Sequence, residues 1–141
     1  MSLEVRGLRF FLLYVAPMLI VTPIWLHLRL AERRLSLSRR WLLDAVVVFM
    51  AALRGIGVPG LPFSGHTLFL AYSGIVTRHR GYRVLALLLM LETTVFKLWL
   101  WRDPKSWGLG IAIGVLLAVA ESRMTSRRAL AKAGPNDILR P

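Results

Sequence analysis

Five long apolar stretches, separated by short loops that hold most of the charge, limit what this chain can fold into more than any other feature. At 141 residues, 56% hydrophobic and with a mean hydropathy of +0.58, the chain has too little polar surface for an ordinary soluble domain. It reads as all-α: a polytopic membrane helical bundle forming one domain over residues 1–141. The apolar periods predict spans over 8–30, 41–58, 64–77, 84–101 and 107–120, with a basic cytoplasmic tail over 121–141. No small-residue cleavage site follows the first run, so it reads as a retained span and not as a signal peptide. Pro17 and Pro23 are expected to kink that span, and Gly108, Gly110 and Gly114 to let the last span pack closely.

The net charge of +12 would suit nucleic acid in a soluble chain. Here the basic residues lie in short loops between apolar runs, which is the pattern of positive-inside topology, and no nucleic-acid partner is expected. With five spans, the 29–40 loop, the 78–83 loop and the tail fall on one side and carry thirteen Lys and Arg. The other side carries five: Arg6, Arg9, Arg54, Arg102 and Lys105. The asymmetry puts the N-terminus outside and the C-terminus inside, as in an integral protein of a bacterial inner membrane. Trp25, Trp41, Trp99, Trp101 and Trp107 fall at span ends and read as an aromatic belt.

Several chemistries are excluded or disfavoured at this stage. The chain has no cysteine, so it has no disulfide, thiol nucleophile or thiolate metal site. His27, His66 and His79 fall at different predicted depths, and no metal-ligand spacing occurs, so neither metal nor other cofactor is expected.

The chemistry concentrates at Ser64-Gly65-His66-Thr67, which follows a turn rich in Gly and Pro and opens an apolar helix. A helix N-terminus leaves backbone amides without intrahelical acceptors and carries the positive end of the dipole, so it suits a phosphate. A histidine in the first turn adds a titratable group beside it. Helix capping alone also accounts for Ser64. The topology brings the Arg102–Ser106 turn to the same outer face, so a site there can draw on Arg54, Lys97, Arg102 and Lys105. Snorkelling at the membrane rim accounts for Arg102 and Lys105 equally well. Glu92 and Lys97 lie inside the fourth span, where charges are costly and face a cavity or the bundle interior. Five residues apart on a helix they diverge, so no direct pair is expected between them. Asp44, near the basic 29–40 loop, reads as half of a structural ion pair.

Phe63-Ser64-Gly65-His66-Thr67 resembles the second signature of the type 2 phosphatidic acid phosphatase superfamily, in the form found in its sphingomyelin synthase branch. The resemblance extends over residues 50–120 and implies a lipid-phosphatase core. It implies that Ser64 and Gly65 bind phosphate oxygens and that His66 acts as the general acid for the leaving alkoxide. The third signature of the family (Ser-Arg, five residues, His, three residues, Asp) corresponds to the stretch from Lys97 to Gly110, in degenerate form. No histidine follows His79. In one register Arg102 replaces the nucleophilic His and Ser106 the Asp. In the other Lys97 replaces the Arg and Asp103 takes the place of the His. Asp103 is therefore a candidate carboxylate nucleophile.

Two functions follow as expectations. One is binding or hydrolysis of a lipid phosphate headgroup at the outer face. The alternative is a catalytically inactive membrane subunit or scaffold that docks in a larger complex or as a homo-oligomer, through Glu92, Lys97 and the small residues of the last span. The topology is tested by single cysteines in this cysteine-free chain. Ser36→Cys should react with an impermeant maleimide only after permeabilisation, and Lys105→Cys in intact cells. The opposite pattern would invert the assignment.

Overall fold

The computed structural model describes residues 15–32, 40–55 and 60–132. Among them the chain is all-α. Helix α1 is Ala16–Glu32, α2 is Arg40–Gly55, α3 is Gly65–Val76 and α4 is Arg80–Val95. A π-helical turn, Phe96–Leu100, continues α4, and α5 is Pro104–Lys132. Residues 8–14 of the first expected span, 56–58 of the second and the tail beyond 132 lie outside the described residues. α1 passes through Pro23 without a break in the helix.

One stretch among the described residues, Pro104–Met124 in α5, is long and apolar enough by itself to cross a membrane. α3 has 12 residues, a rise of about 18 Å against a hydrocarbon core of about 30 Å. Its brevity fits its position. α3 is buried on nearly every side, from Thr67 through Ser73, and packs against α5 most extensively, then against α4 and α2. A helix that is apolar all round belongs in a core, which is where this one sits.

The α3–α5 contact depends on two glycines. A Cβ on Gly110 would stand 2.6 Å from the Ser64 carbonyl oxygen, and one on Gly114 would stand 2.5 Å from that of Leu68. Only hydrogen fits at either position. Gly108 has open space instead. Gly110 and Gly114 therefore serve a close contact within the chain, while Gly108 takes no part in it.

At the opposite end of α3, four helices meet around charge. Arg29 of α1 pairs with Asp44 of α2 at 3.3 Å and with Glu121 of α5, and donates to the Val76 carbonyl of α3 at 3.3 Å. Tyr72 of α3 lies 2.6 Å from Asp44 Oδ1 and 2.5 Å from Glu121 Oε2. All four side chains are buried. Loss of one partner from a buried ion pair strands the other, at a cost of about 3–5 kcal/mol, so this cluster locks the order of the helices. Two expectations change here. Arg29 is not a loop charge, and Glu121 lies in the packed part of α5, which runs on beyond 120. Trp25 also departs from the aromatic belt. It is 0% exposed and meets Phe69 and Tyr72 edge-on, with ring centroids 5.3 and 6.2 Å away. Trp99 is 83% exposed.

Gly110→Ala and Gly114→Ala should each destabilise the detergent-solubilised protein by about 1–3 kcal/mol, the usual range for overpacking. Gly108→Ala should be neutral or stabilising by up to about 1 kcal/mol. Thermal or denaturant unfolding checks the contrast; equal effects at all three positions would refute the close contact.

Candidate functional site

The site forms where the N-termini of α3 and α5 meet the end of α2. Ser64 holds the N-cap position of α3 with extended backbone, but its hydroxyl makes no capping bond. That hydroxyl is buried and has no hydrogen-bond partner among the described residues. Capping therefore does not account for the serine. Its backbone amide instead donates to the Ser106 carbonyl of α5 at 2.9 Å. Thr67 ties the same corner, its hydroxyl lying within hydrogen-bond reach of the carbonyls of Ser64 at 3.1 Å and Trp107 at 3.3 Å. The two expected helix N-termini are thus brought together.

Gly65 is pressed against α2. A Cβ there would lie 2.8 Å from the Ala51 carbonyl oxygen and 3.3 Å from Arg54 Cβ. The absence of a side chain is what lets the first turn of α3 lie beside Arg54. His66 is half-buried and, with Gly65, lines the end of an apolar groove of about 420 Å³. Met18 and Thr22 of α1 and Val48, Ala51 and Ala52 of α2 form its walls, with Phe69 of α3. The Thr22 hydroxyl is already spent on the Met18 carbonyl at 2.8 Å, so the groove is apolar in effect.

The π-helical turn sets the second half of the site. It carries Lys97, which is buried. The Lys97 ammonium lies 3.5 Å from Asp103 Oδ2, 3.4 Å from Ser106 Oγ and 5.0 Å from the centroid of the Trp101 ring. Arg102 then adopts φ +50°, the left-handed region that a non-glycine residue enters at a cost. This reversal returns the Asp103 amide to the Lys97 carbonyl at 2.8 Å and starts α5 at Pro104. Proline is favoured at a first helical position.

Asp103 caps α5. Its Oδ1 accepts from the Ser106 amide at 3.2 Å, and its Oδ2 accepts from the Ser106 hydroxyl. The Ser106 hydroxyl, more than any other contact, holds the Asp103 carboxyl below the ordinary carboxylate range; the Ser106 amide and Lys97 add to this against partial burial. Both oxygens of the candidate nucleophile are therefore occupied.

The remaining candidates scatter. Arg102 and Lys105 are exposed at the rim, with no hydrogen bond or ion pair among the described residues. Glu92 is half-buried on α4, and its side chain is likewise without one among the described residues. Asp44 has the ion pair expected of it, with Arg29. His79 caps α4, its Nδ1 accepting from the Tyr82 amide at 3.3 Å. Sequence reading gave Ser106 only as the replacement for the family's Asp in one register, and did not single out Thr67. The Asp-Pro-Lys-Ser run, an N-cap followed by proline and a hydroxyl three residues on, was the signal available for the first.

No protein-family model matches the chain, and neither does any curated protein or solved structure.

The capping carboxylate gives a pH test. An unfolded aspartate titrates near pH 4. Because the folded value is lower, the stabilisation is complete above that range and is lost as pH falls through the folded value. Asp103→Asn keeps a capping acceptor but loses the charge, so it should flatten the fall in melting temperature below about pH 4. An unchanged acid slope would contradict the assignment.

Proposed function

We propose that this chain is an integral membrane protein that binds the phosphate of a lipid phosphate at the outer face of the membrane and hydrolyses it. The observation that carries the reading is the buried Ser64 hydroxyl at the N-terminus of α3, which has no hydrogen-bond partner among the described residues, with Arg54 packed beside Gly65 and Lys97 beside Ser106. A phosphate oxygen there would accept from Ser64 and from the first amides of α3, in the positive field of the helix end and two cations. The groove that ends at Gly65 and His66 offers an apolar path for an acyl chain to the same turn. Its volume falls within the usual range for small-molecule sites.

The membrane reading is supported by apolar side chains left on the surface. Val84, Leu87, Leu88, Leu91 and Val95 form an exposed stripe on α4, and Leu19, Ile20 and Ile24 are exposed on α1. A contiguous apolar surface of that kind suits lipid better than water. The remaining helices would then cross as a bundle, N-out and C-in, in a plasma membrane of bacterial type. His66 would serve as the general acid that protonates the leaving alkoxide. Arg102 and Lys105 would gather the anionic headgroup from the rim.

The alternative, an inactive subunit of a larger membrane complex, rests on Glu92. A half-buried carboxyl on an apolar helix face asks for a partner that the described residues do not provide.

The test is phosphate release by the purified protein in detergent from phosphatidic acid, lysophosphatidic acid and sphingosine phosphate. Wild type should release phosphate, His66→Ala should abolish release, and Arg102→Ala should weaken lipid-phosphate binding. Absence of both release and lipid-phosphate binding in the wild type would refute the reading.

A further inference from the structure

The proposed hydrolysis lacks a nucleophile, since no histidine follows His79 and the carboxylate of Asp103 is occupied as a helix cap. We propose that Ser106 is that nucleophile, activated by Asp103 and Lys97, and that the reaction passes through a phosphoserine; this rests on the phosphatase reading above. An activated hydroxyl is recognised by a base within hydrogen-bond reach that is itself held by a third group. Ser106 meets both conditions. Its hydroxyl donates to Asp103 Oδ2 and accepts from the Lys97 ammonium at 3.4 Å. Asp103 is held in turn by the Ser106 amide at 3.2 Å and by Lys97 at 3.5 Å.

Position agrees with chemistry. The Ser106 carbonyl accepts from the Ser64 amide at 2.9 Å, so the nucleophile stands beside the turn that would hold the phosphate. Ser64 supplies a buried hydroxyl with no partner of its own among the described residues. The Asp103 side chain, 39% exposed, leaves one side of the cluster open.

The steps balance. Ser106 Oγ forms a bond to phosphorus as the bond from phosphorus to the lipid oxygen breaks. The Ser106 proton passes to Asp103, and the leaving alkoxide takes a proton from the His66 imidazolium. Water then attacks the phosphoserine and gives a proton to His66. The bond from phosphorus to Oγ breaks, and Oγ recovers its proton from Asp103. The sum is ester plus water to alcohol plus inorganic phosphate, with no oxidant, reductant or metal.

The experiment is rapid acid quenching of the full chain with phosphatidic acid labelled with ³²P in its phosphate, followed by analysis of the protein-bound label. Phosphoserine survives acid and hydroxylamine, aspartyl phosphate is cleaved by hydroxylamine, and phosphohistidine is lost in acid. The proposal expects acid-stable, hydroxylamine-resistant label on wild type, none on Ser106→Ala, and retained label on Ser106→Thr, which keeps a hydroxyl. Label in the wild type needs no variant to fold, so its chemistry alone decides between residues. Phosphate release with hydroxylamine-sensitive, acid-labile or no protein-bound label would overturn Ser106 as nucleophile and leave the phosphatase reading standing. Neither release nor label would overturn both.

Discussion

The backbones of α3 and α5 approach so closely at Gly110 and Gly114 that any side chain at either position would collide with a carbonyl oxygen of α3. Everything at the candidate site follows from that approach. It carries the first turn of α5 to the first turn of α3 and lets the Ser64 amide donate to the Ser106 carbonyl. Because that amide is engaged by α5 and the Ser64 hydroxyl is not engaged by its own helix, the turn keeps a buried donor in reserve. A polar group left unpaired in a buried place costs free energy, and an anionic ligand is one way to recover it.

The bundle keeps its charges at two ends of α3. The end of α1, the start of α2 and the middle of α5 meet at Tyr72, where Arg29, Asp44 and Glu121 pair. The end of α2, the end of α4 and the start of α5 meet near Ser64, where Arg54, Lys97, Asp103 and Ser106 gather. The first cluster is buried, pairs its charges across the helices and serves their order. The second mixes two cations with one carboxylate and two hydroxyls, and it adjoins an apolar groove. That difference in composition is why the second, and not the first, reads as a place for a ligand.

Much of the helical framework was legible from hydropathy, since apolar runs of fixed period leave few alternatives to helices. The Ser-Gly-His turn was legible because glycine and proline mark the break and serine marks the helix start. What sequence did not reveal depends on contacts between distant residues. Arg29 reads as a loop charge until Asp44 and Glu121 are brought to it from 15 and 92 residues away. Trp25 reads as interfacial until Phe69 and Tyr72 close over it. The inward placement of Lys97 was expected from the cost of a charge inside an apolar run, but the π-helical turn that carries it was not, being a local departure from the 3.6-residue period on which any helical projection is built. Ser106 was named only as a stand-in for an Asp, because its hydroxyl matters only once Lys97 and Asp103 share it.

The most direct test of the account is a crystal structure of the protein with vanadate, a stand-in for the phosphoryl group. The account predicts vanadate oxygens within hydrogen-bond distance of Ser64 Oγ and the first amides of α3, with Arg54 or Lys97 beside them. Vanadate bound elsewhere, or a Ser64 hydroxyl satisfied by another part of the chain with no anion present, would contradict it.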